Sequence, residues 1–276
     1  MDELYVIARR VLLDALKALG PHRNAIILVG AQAIYLHTGD ADLAVAEYTT
    51  DADLALDPDL LEEIPPLEQA LHDAGFSHMG KSGVGVWKTS RPGQNSNKVE
   101  VQVDLLVPSS VSPGKGRRAA RLPGHHNLAA RKVDGLEGVL VDQTEMEIKS
   151  LDPGNDPRCF PAKVAGPGAL LIAKLFKINE RRGTARANDK DALDVLRILQ
   201  GIKTETLAGS FNRIRADERS RASAERATEL LWELFGTRGS EGSVMAARAT
   251  QPLMDEDQVR LTCEFLAGDL LQMLKS

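Results

Sequence analysis

Cysteine is scarce in this chain of 276 residues, and its two copies, Cys159 and Cys263, lie far apart without metal-ligand spacing. A disulfide scaffold and a zinc motif are therefore excluded, and free thiols in a reducing compartment are the simplest interpretation. Apolar runs long enough to cross a bilayer are also missing. The chain opens on acids, Asp2 and Glu3, where a secretory signal would carry positive charge. These absences predict a cytoplasmic protein with no membrane association.

A net charge of -5 argues against a wholly basic nucleic-acid-binding protein, but the charge is uneven along the chain. The segment from Pro108 to Val133 contains no acid and is rich in glycine and proline, which predicts a long loop. Two interpretations remain open, a solvated flexible loop and an arm that grips nucleic-acid phosphates. The basic residues of this segment are Lys115, Arg117, Arg118, Arg121, Arg131 and Lys132.

Hydrophobic periodicity predicts a mixed N-terminal region followed by a helical region. From Gly168 onward the pattern is helical throughout, and the proline- and glycine-containing stretch 156–168 predicts the boundary between a domain at 1–162 and a domain at 163–276. The N-terminal pattern predicts helices at 3–19, 31–39 and 60–74, strands at 25–29, 51–56 and 136–141, and a hairpin of 84–88 with 98–107. The C-terminal pattern predicts helices at 170–182, 189–199, 204–214, 222–235 and 255–275.

Three acids lie on two of the predicted strands. Because side chains alternate between faces along a strand, Asp51 and Asp53 share one face, and Asp104 lies on the face opposite Val103 and Leu105. If the two strands are neighbours, the three carboxylates converge on one side of the sheet. Carboxylates so close repel unless cations neutralise them, and oxygen ligands select Mg²⁺ or Mn²⁺.

A pair of such ions about 4 Å apart would serve nucleotidyl transfer. One ion would bind a nucleoside triphosphate (NTP), and the other would lower the pKa of the acceptor hydroxyl. Asp51 and Asp53 are the predicted metal ligands, and Asp104 is predicted to be both a ligand and the base. The turn at Gly30 would let the backbone N–H groups of Ala31 and Gln32 approach the phosphates.

These motifs resemble the minimal nucleotidyltransferase superfamily, whose pattern is a Gly-Ser or Gly-Gly turn, an Asp-x-Asp strand and a third Asp. The residues that carry the resemblance are Val29-Gly30-Ala31, Thr50-Asp51-Ala52-Asp53-Leu54 and Val103-Asp104-Leu105-Leu106. The chain departs from the pattern at Ala31, where serine or glycine is usual. Later stretches, Ala173-Lys174-Leu175 and Lys190-Asp191-Ala192-Leu193-Asp194-Val195, resemble the AbiEii-type toxin nucleotidyltransferases, including the mycobacterial MenT group.

The resemblance covers about residues 25 to 200 and implies a fold and a function. It implies an α+β fold, with a polymerase-β-like mixed sheet, flanking helices and a helical C-terminal lobe. It also implies metal binding by the three acids, triphosphate contact by Lys174, and an essential acid at Asp191 or Asp194. Such toxins add nucleotides to the 3′ acceptor end of transfer RNA (tRNA) and are neutralised by an antitoxin protein.

The helical motifs also have an interpretation that does not depend on the family. Lys174, Lys177 and Arg181 share one helix face, and Asp191 and Asp194 share a face of the next helix. The two faces could simply pair within a helical hairpin. In the functional interpretation, Lys174 and Lys177 lie near the triphosphate, together with Thr50 beside the acidic strand.

Two alternative functions use the same acids. A small-molecule nucleotidyltransferase, of the kind that modifies an aminoglycoside, would need an acidic pocket, which the basic segment argues against. A catalytically silent binding module would not need all three acids. Thr49 and Thr50 adjoin the acids, so phosphorylation of either would set like charge against Asp51 and Asp53 and silence the enzyme.

Overall fold

A computed structural model describes residues 2–39, 48–93, 97–112 and 118–275. The described residues form two compact units. The first contains those of Met1–Ala33, Ala46–Val133 and Gln143–Ala165, and the second contains those of Ile34–Val45, Asp134–Asp142 and Gly166–Ser276. The division into domains at 1–162 and 163–276 stays a prediction, and the two short earlier segments of the second unit were not foreseen.

A mixed sheet forms the first unit, and nine of its strands lie in the described ranges. The main path runs β3-β4-β5-β2-β1-β9-β8, while β7 pairs with β5 and with β6. Pairing is parallel between β2 and β5, β1 and β9, and β5 and β7, and antiparallel elsewhere. The strands are β1 Ile26–Val29, β2 Asp51–Leu56, β3 Ser77–His78, β4 Val86–Pro92, β5 Lys98–Pro108, β6 Ala119–Ala120, β7 Ala130–Val133, β8 Gln143–Lys149 and β9 Cys159–Ala165.

Helices α1 (Glu3–Ala18), α2 (Gly30–Thr38) and α3 (Leu67–Asp73) accompany these strands. The side chain of Asp2 accepts hydrogen bonds from the backbone N–H groups of Leu4 and Tyr5, which caps the start of α1. The apolar stripe of α1 is buried, as the helical spacing of its leucines and valines predicts. The predicted hairpin of β4 and β5 and the predicted strand 51–56 are confirmed.

Several local predictions were wrong. The helix predicted at 60–74 begins only at Leu67, because consecutive prolines, Pro65 and Pro66, precede it and Pro66 takes the N-cap position. The stretch predicted as a strand at 136–141 is a short 3₁₀ helix, Glu137–Leu140. Strand β9 occupies most of the predicted 156–168 linker, because it pairs with its neighbour β8 and with β1, which lies far earlier in the chain.

The second unit is helical after Pro167, as predicted. The side chain of Asp142 accepts hydrogen bonds from the N–H of Ala169 and from Ser210 and Arg213, which anchors the first of these helices. The helix Glu241–Ala249 was not predicted, because its small residues give little hydrophobic periodicity. The helices are α4 Pro167–Arg181, α5 Asp189–Gly201, α6 Thr204–Ala216, α7 Arg221–Phe235, α8 Glu241–Ala249 and α9 Glu256–Met273.

The predicted fold class, an α+β protein with a polymerase-β-like mixed sheet, flanking helices and a helical C-terminal lobe, is confirmed. Both cysteines are free thiols; Cys159 is exposed and Cys263 is buried. None of the helices in the described ranges combines the length and the apolar character that a membrane span requires.

Candidate active site

Strands β2 and β5 bring the three predicted acids to one face of the sheet. The strands are parallel neighbours, with Asp53 in register with Asp104 and Asp51 in register with Gln102. Register partners on adjacent strands point to the same face, and Asp51 lies two residues from Asp53 on that face. The prediction that the two strands are neighbours with their acids on one side is therefore confirmed. The catalytic and metal-binding roles of the acids stay predictions.

The opposite face of the same strands is core. Ala52, Leu54, Val103 and Leu105 are all between 0% and 1% exposed. Burial of this face holds both strands in register, because a shift of one residue would turn the acids into the core. The acidic face is therefore positioned by the apolar residues that alternate with it.

Gly30 lies directly against the acidic face. It has a positive φ of 70°, a backbone conformation that L side chains rarely adopt. A Cβ at this position would overlap the carboxylate of Asp53, which is adjacent because β1 pairs antiparallel with β2 at Val29 and Asp53. The turn between β1 and α2 and the Asp53 carboxylate therefore form one site, and only glycine fits between them.

Gln32, on the first turn of α2, has a bracing role that the sequence did not indicate. Its side-chain amide donates a hydrogen bond to the backbone carbonyl of Asp51 over 3.0 Å, and its carbonyl oxygen accepts from Arg9 Nε over 2.8 Å. Both Gln32 and Arg9 are buried. This network fixes the start of β2 against α2 and α1. Phosphate binding by the backbone N–H groups of Ala31 and Gln32 stays a prediction.

Two carboxylates of the face have defined partners. Asp51 Oδ1 accepts a hydrogen bond from the hydroxyl of Thr49 over 2.5 Å. Asp104 Oδ2 accepts from Arg131 Nη2 over 2.6 Å, and the exposed fractions of these two side chains are 17% and 31%. Thr49 itself is buried and Thr50 is exposed, so of the two hydroxyls suggested for phosphorylation, that of Thr50 is the accessible one.

The donor chemistry of this face suits a hard divalent cation, because it consists of carboxylate oxygens on strands whose register is fixed. Yet within the described ranges, no group of three or more His, Cys, Asp and Glu side chains is arranged so that it could hold a metal ion. The pair between Asp104 and Arg131 gives one reason, since it orients that carboxylate towards β7. Arg131 therefore occupies one oxygen of a carboxylate that was predicted to bind metal.

The basic segment is only partly the long loop that was predicted. It contains β6 and β7, and β7 pairs with β5 from Leu106 to Pro108. Arg131 and Lys132 belong to this strand, so neither lies on a flexible arm. Arg118 and Arg121 are exposed, while Lys115 and Arg117 lie outside the described residues. Binding of nucleic-acid phosphates by this segment stays a prediction.

The second unit contains the other predicted site residues, on α4 and α5. Lys174 Nζ lies 2.9 Å from Asp191 Oδ1 and 2.7 Å from Asp194 Oδ2, and all three side chains are buried. The carboxylate of Asp191 also contacts Lys177 and Arg181, at 3.3 Å and 3.0 Å. The basic and acidic faces therefore pair between consecutive helices, which is the alternative that the sequence left open. The proposed contact of Lys174 and Lys177 with a triphosphate stays a prediction.

Charge pairing dominates the electrostatics of this cluster. Burial alone would lower the pKa of Lys174, but the neighbouring carboxylates of Asp194 and Asp191 raise it above its usual value. Burial alone would raise the pKa of Asp191, but Lys174, Lys177 and Arg181 hold it well below its usual range. Lys174 and Asp191 are therefore both charged at neutral pH, and neither serves as a general acid or base there.

Comparison with known proteins places these observations in a family. A solved structure, the crystal structure of an antigenic nucleotidyltransferase-like protein from Paracoccidioides brasiliensis, is 15% identical, with a TM-score of 0.40 and coverage of 82% of this chain and 93% of that chain. No curated protein matches the sequence. The model of a family described as nucleotidyltransferase matches residues 9–218, which is well over half of the 276 residues. The chain therefore belongs to this nucleotidyltransferase family.

Proposed function

We propose that this protein is a divalent-metal-dependent enzyme that transfers a nucleoside monophosphate from an NTP to the 3′ acceptor end of tRNA. The observation that carries the proposal is the register of Asp53 with Asp104 across β2 and β5, next to the turn at Gly30. Family membership supports nucleotidyl transfer as the reaction. The AbiEii-type resemblance supports a further part of the proposal, a toxin that blocks translation and is neutralised by a cognate antitoxin.

The mechanism assigns a role to each part of the acidic face. Asp51, Asp53 and Asp104 would hold Mg²⁺ or Mn²⁺, which when bound would neutralise triphosphate charge and acidify the acceptor hydroxyl. The N-terminal turn of α2 at Ala31 presents backbone N–H groups to phosphate oxygens. Asp104 accepts the proton of the 3′ hydroxyl while the oxygen of that hydroxyl forms a bond to the α-phosphorus of the NTP. The bond between the α-phosphorus and the oxygen that bridges the α- and β-phosphates breaks, and pyrophosphate leaves.

The choice of RNA as acceptor rests on charge and on the resemblance. Arg118 and Arg121 are exposed in the segment between β5 and β7. Basic side chains on the surface attract the phosphates of RNA without reading its sequence. A small cationic acceptor would instead need acidic residues around its binding pocket. No specific observation on the described residues favours such an acceptor.

The test is transfer of label from α-³²P-labelled NTPs to total RNA in the presence of Mg²⁺. Wild-type protein should label a band of tRNA size, and Asp53→Asn should reduce labelling by at least about 100-fold, the scale of losing one preorganised charged group in an active site. Asn keeps the shape of the side chain beside Gly30, so a melting curve of the variant close to wild type makes it a matched control. Label confined to small molecules would contradict the tRNA acceptor. No label on any acceptor would contradict the transferase activity.

A further inference from the structure

We propose that Arg131 is the resident counter-ion of Asp104 and competes with divalent metal for that carboxylate. Arg131 would thereby set the metal affinity of the acidic face. This inference rests on the proposed function, because it assumes that Asp104 is a metal ligand. It assigns to Arg131 a positioning role that neither the motifs nor the family match indicates.

The first observation is the direction from which Arg131 reaches Asp104. Arg131 is in register with Leu106 on β5, two residues beyond Asp104, and its guanidinium extends back to Asp104 Oδ2 over 2.6 Å. Arg131 therefore approaches Asp104 from β7, whereas Asp53 lies on β2. Arg131 holds Asp104 through Oδ2 from the β7 side, and a metal shared with Asp53 would draw the same carboxylate towards β2. The two partners would therefore compete for the orientation of Asp104.

The second observation is the way Arg131 is held. Gly85, with a positive φ of 74°, packs against it so closely that a Cβ would lie 2.7 Å from Arg131 N and 3.0 Å from Arg131 Cγ. Two backbone hydrogen bonds hold the turn at Gly85 in place: the Gly85 N–H donates to Leu128 O, and Gly85 O accepts from the Leu105 N–H. The backbone and stem of Arg131 are therefore held beside β5, while its side chain is still 31% exposed.

The ion pair between Arg131 and Asp104 is weak enough for a divalent metal ion to compete with it. Both side chains are partly exposed, at 31% for Arg131 and 17% for Asp104, and ion pairs in such places are weak because water screens them. A dication that binds several carboxylates at once has the larger charge and more contacts. It can displace the guanidinium, but its apparent affinity is lowered by the need to do so.

The test is a titration of EDTA-treated protein with Mn²⁺, in which the electron paramagnetic resonance signal of free Mn²⁺ reports binding without any reaction. Arg131→Met should tighten Mn²⁺ binding by roughly 2- to 5-fold, the scale of losing one partly exposed ion pair as competitor. Arg131→Lys keeps a positive charge without the guanidinium fork and should fall between wild type and Arg131→Met. Arg23→Met removes an exposed arginine of the same unit, outside both the acidic face and the basic segment, and should match wild type. Asp104→Asn should weaken binding.

Each outcome bears on a different claim. Equal or weaker Mn²⁺ binding by both Arg131 variants, at a site that Asp104→Asn removes, would overturn the competition and leave the proposed function standing. If Arg131→Met does not fold, Arg131→Lys alone tests the competition, which requires this variant to bind Mn²⁺ more tightly than wild type. If wild-type protein has no Mn²⁺ site that depends on Asp53 or Asp104, both this inference and the metal-dependent mechanism are wrong.

Discussion

The two units each place aspartates beside basic side chains, but the surroundings of these groups differ. On the acidic face, Asp104 is 17% exposed and pairs with a partly exposed arginine. In the α4–α5 cluster, defined by Lys174, Asp191 and Asp194, the carboxylates are 5% and 1% exposed. Aspartates with basic partners therefore form a solvent-accessible face in the first unit and a buried ion-pair cluster between two helices in the second. Exposure and pairing, rather than residue type, separate a candidate reactive site from a structural one.

Replacing Lys174 by Met should give the largest change in stability. Asp194 would remain buried and keep Lys190 at 3.8 Å, so its charge would be poorly compensated. Removing one partner of a buried ion pair typically costs about 3–5 kcal/mol in the free energy of unfolding. Denaturant unfolding of Lys174→Met against wild type measures this cost directly.

A control and a rescue make the comparison sharper. Lys177 is 35% exposed, so Lys177→Met should cost no more than about 1 kcal/mol. The double variant with Lys174→Met and Asp194→Leu should recover part of the lost stability, because it removes the unpaired charge. If Lys174→Met keeps wild-type stability but raises the KM for NTP, the lysine is a triphosphate ligand and the structural interpretation of the cluster is wrong.

Much of the acidic face was predictable from the sequence. The alternation Asp51-Ala52-Asp53-Leu54 separates polar from apolar side chains within a few residues, so local periodicity is enough to place the acids on one face. The glycine turn before α2 is equally local. What the sequence could not specify was that Gly30 makes room for Asp53, since that contact depends on the register of β1 with β2.

The features that were missed depend on distant pairings. Strand β9 contains Pro161 and is flanked by further prolines, a composition typical of a linker. It nevertheless extends the sheet by pairing with β1, more than a hundred residues earlier in the chain. Arg131 lies among glycines and basic residues, which is typical of a loop, and only its pairing with β5 places it at Asp104. Local composition does not encode such partners.

Gly30→Ala should disturb the acidic face more modestly than Lys174→Met disturbs the cluster. A positive φ costs a residue with a Cβ about 1–2 kcal/mol, and the Cβ would also push the Asp53 carboxylate out of place. We expect a small fall in the free energy of unfolding but a large loss of nucleotidyl transfer. Gly154→Ala, at a position with open space, is the matched control and should change neither. Full activity in Gly30→Ala would show that the position of Asp53 beside the turn is not required.

The smallest expected effect, and the finest separation of the two regions, is in the dependence of stability on pH. The pKa of Asp191 is held below its usual value by the cations around it, so its contribution is fully present above the unfolded-state pKa of about 4 and is lost as the pH falls towards the native pKa. Over that range, the free energy of unfolding of wild type should fall with pH more steeply than that of Asp191→Asn, by at most about 1.4 kcal/mol for each pH unit. Above about pH 5 the two curves should run parallel. Urea unfolding between pH 2.5 and 7 measures both slopes, and equal slopes below pH 4 would show that the cations do not stabilise the ionised Asp191 in the folded chain.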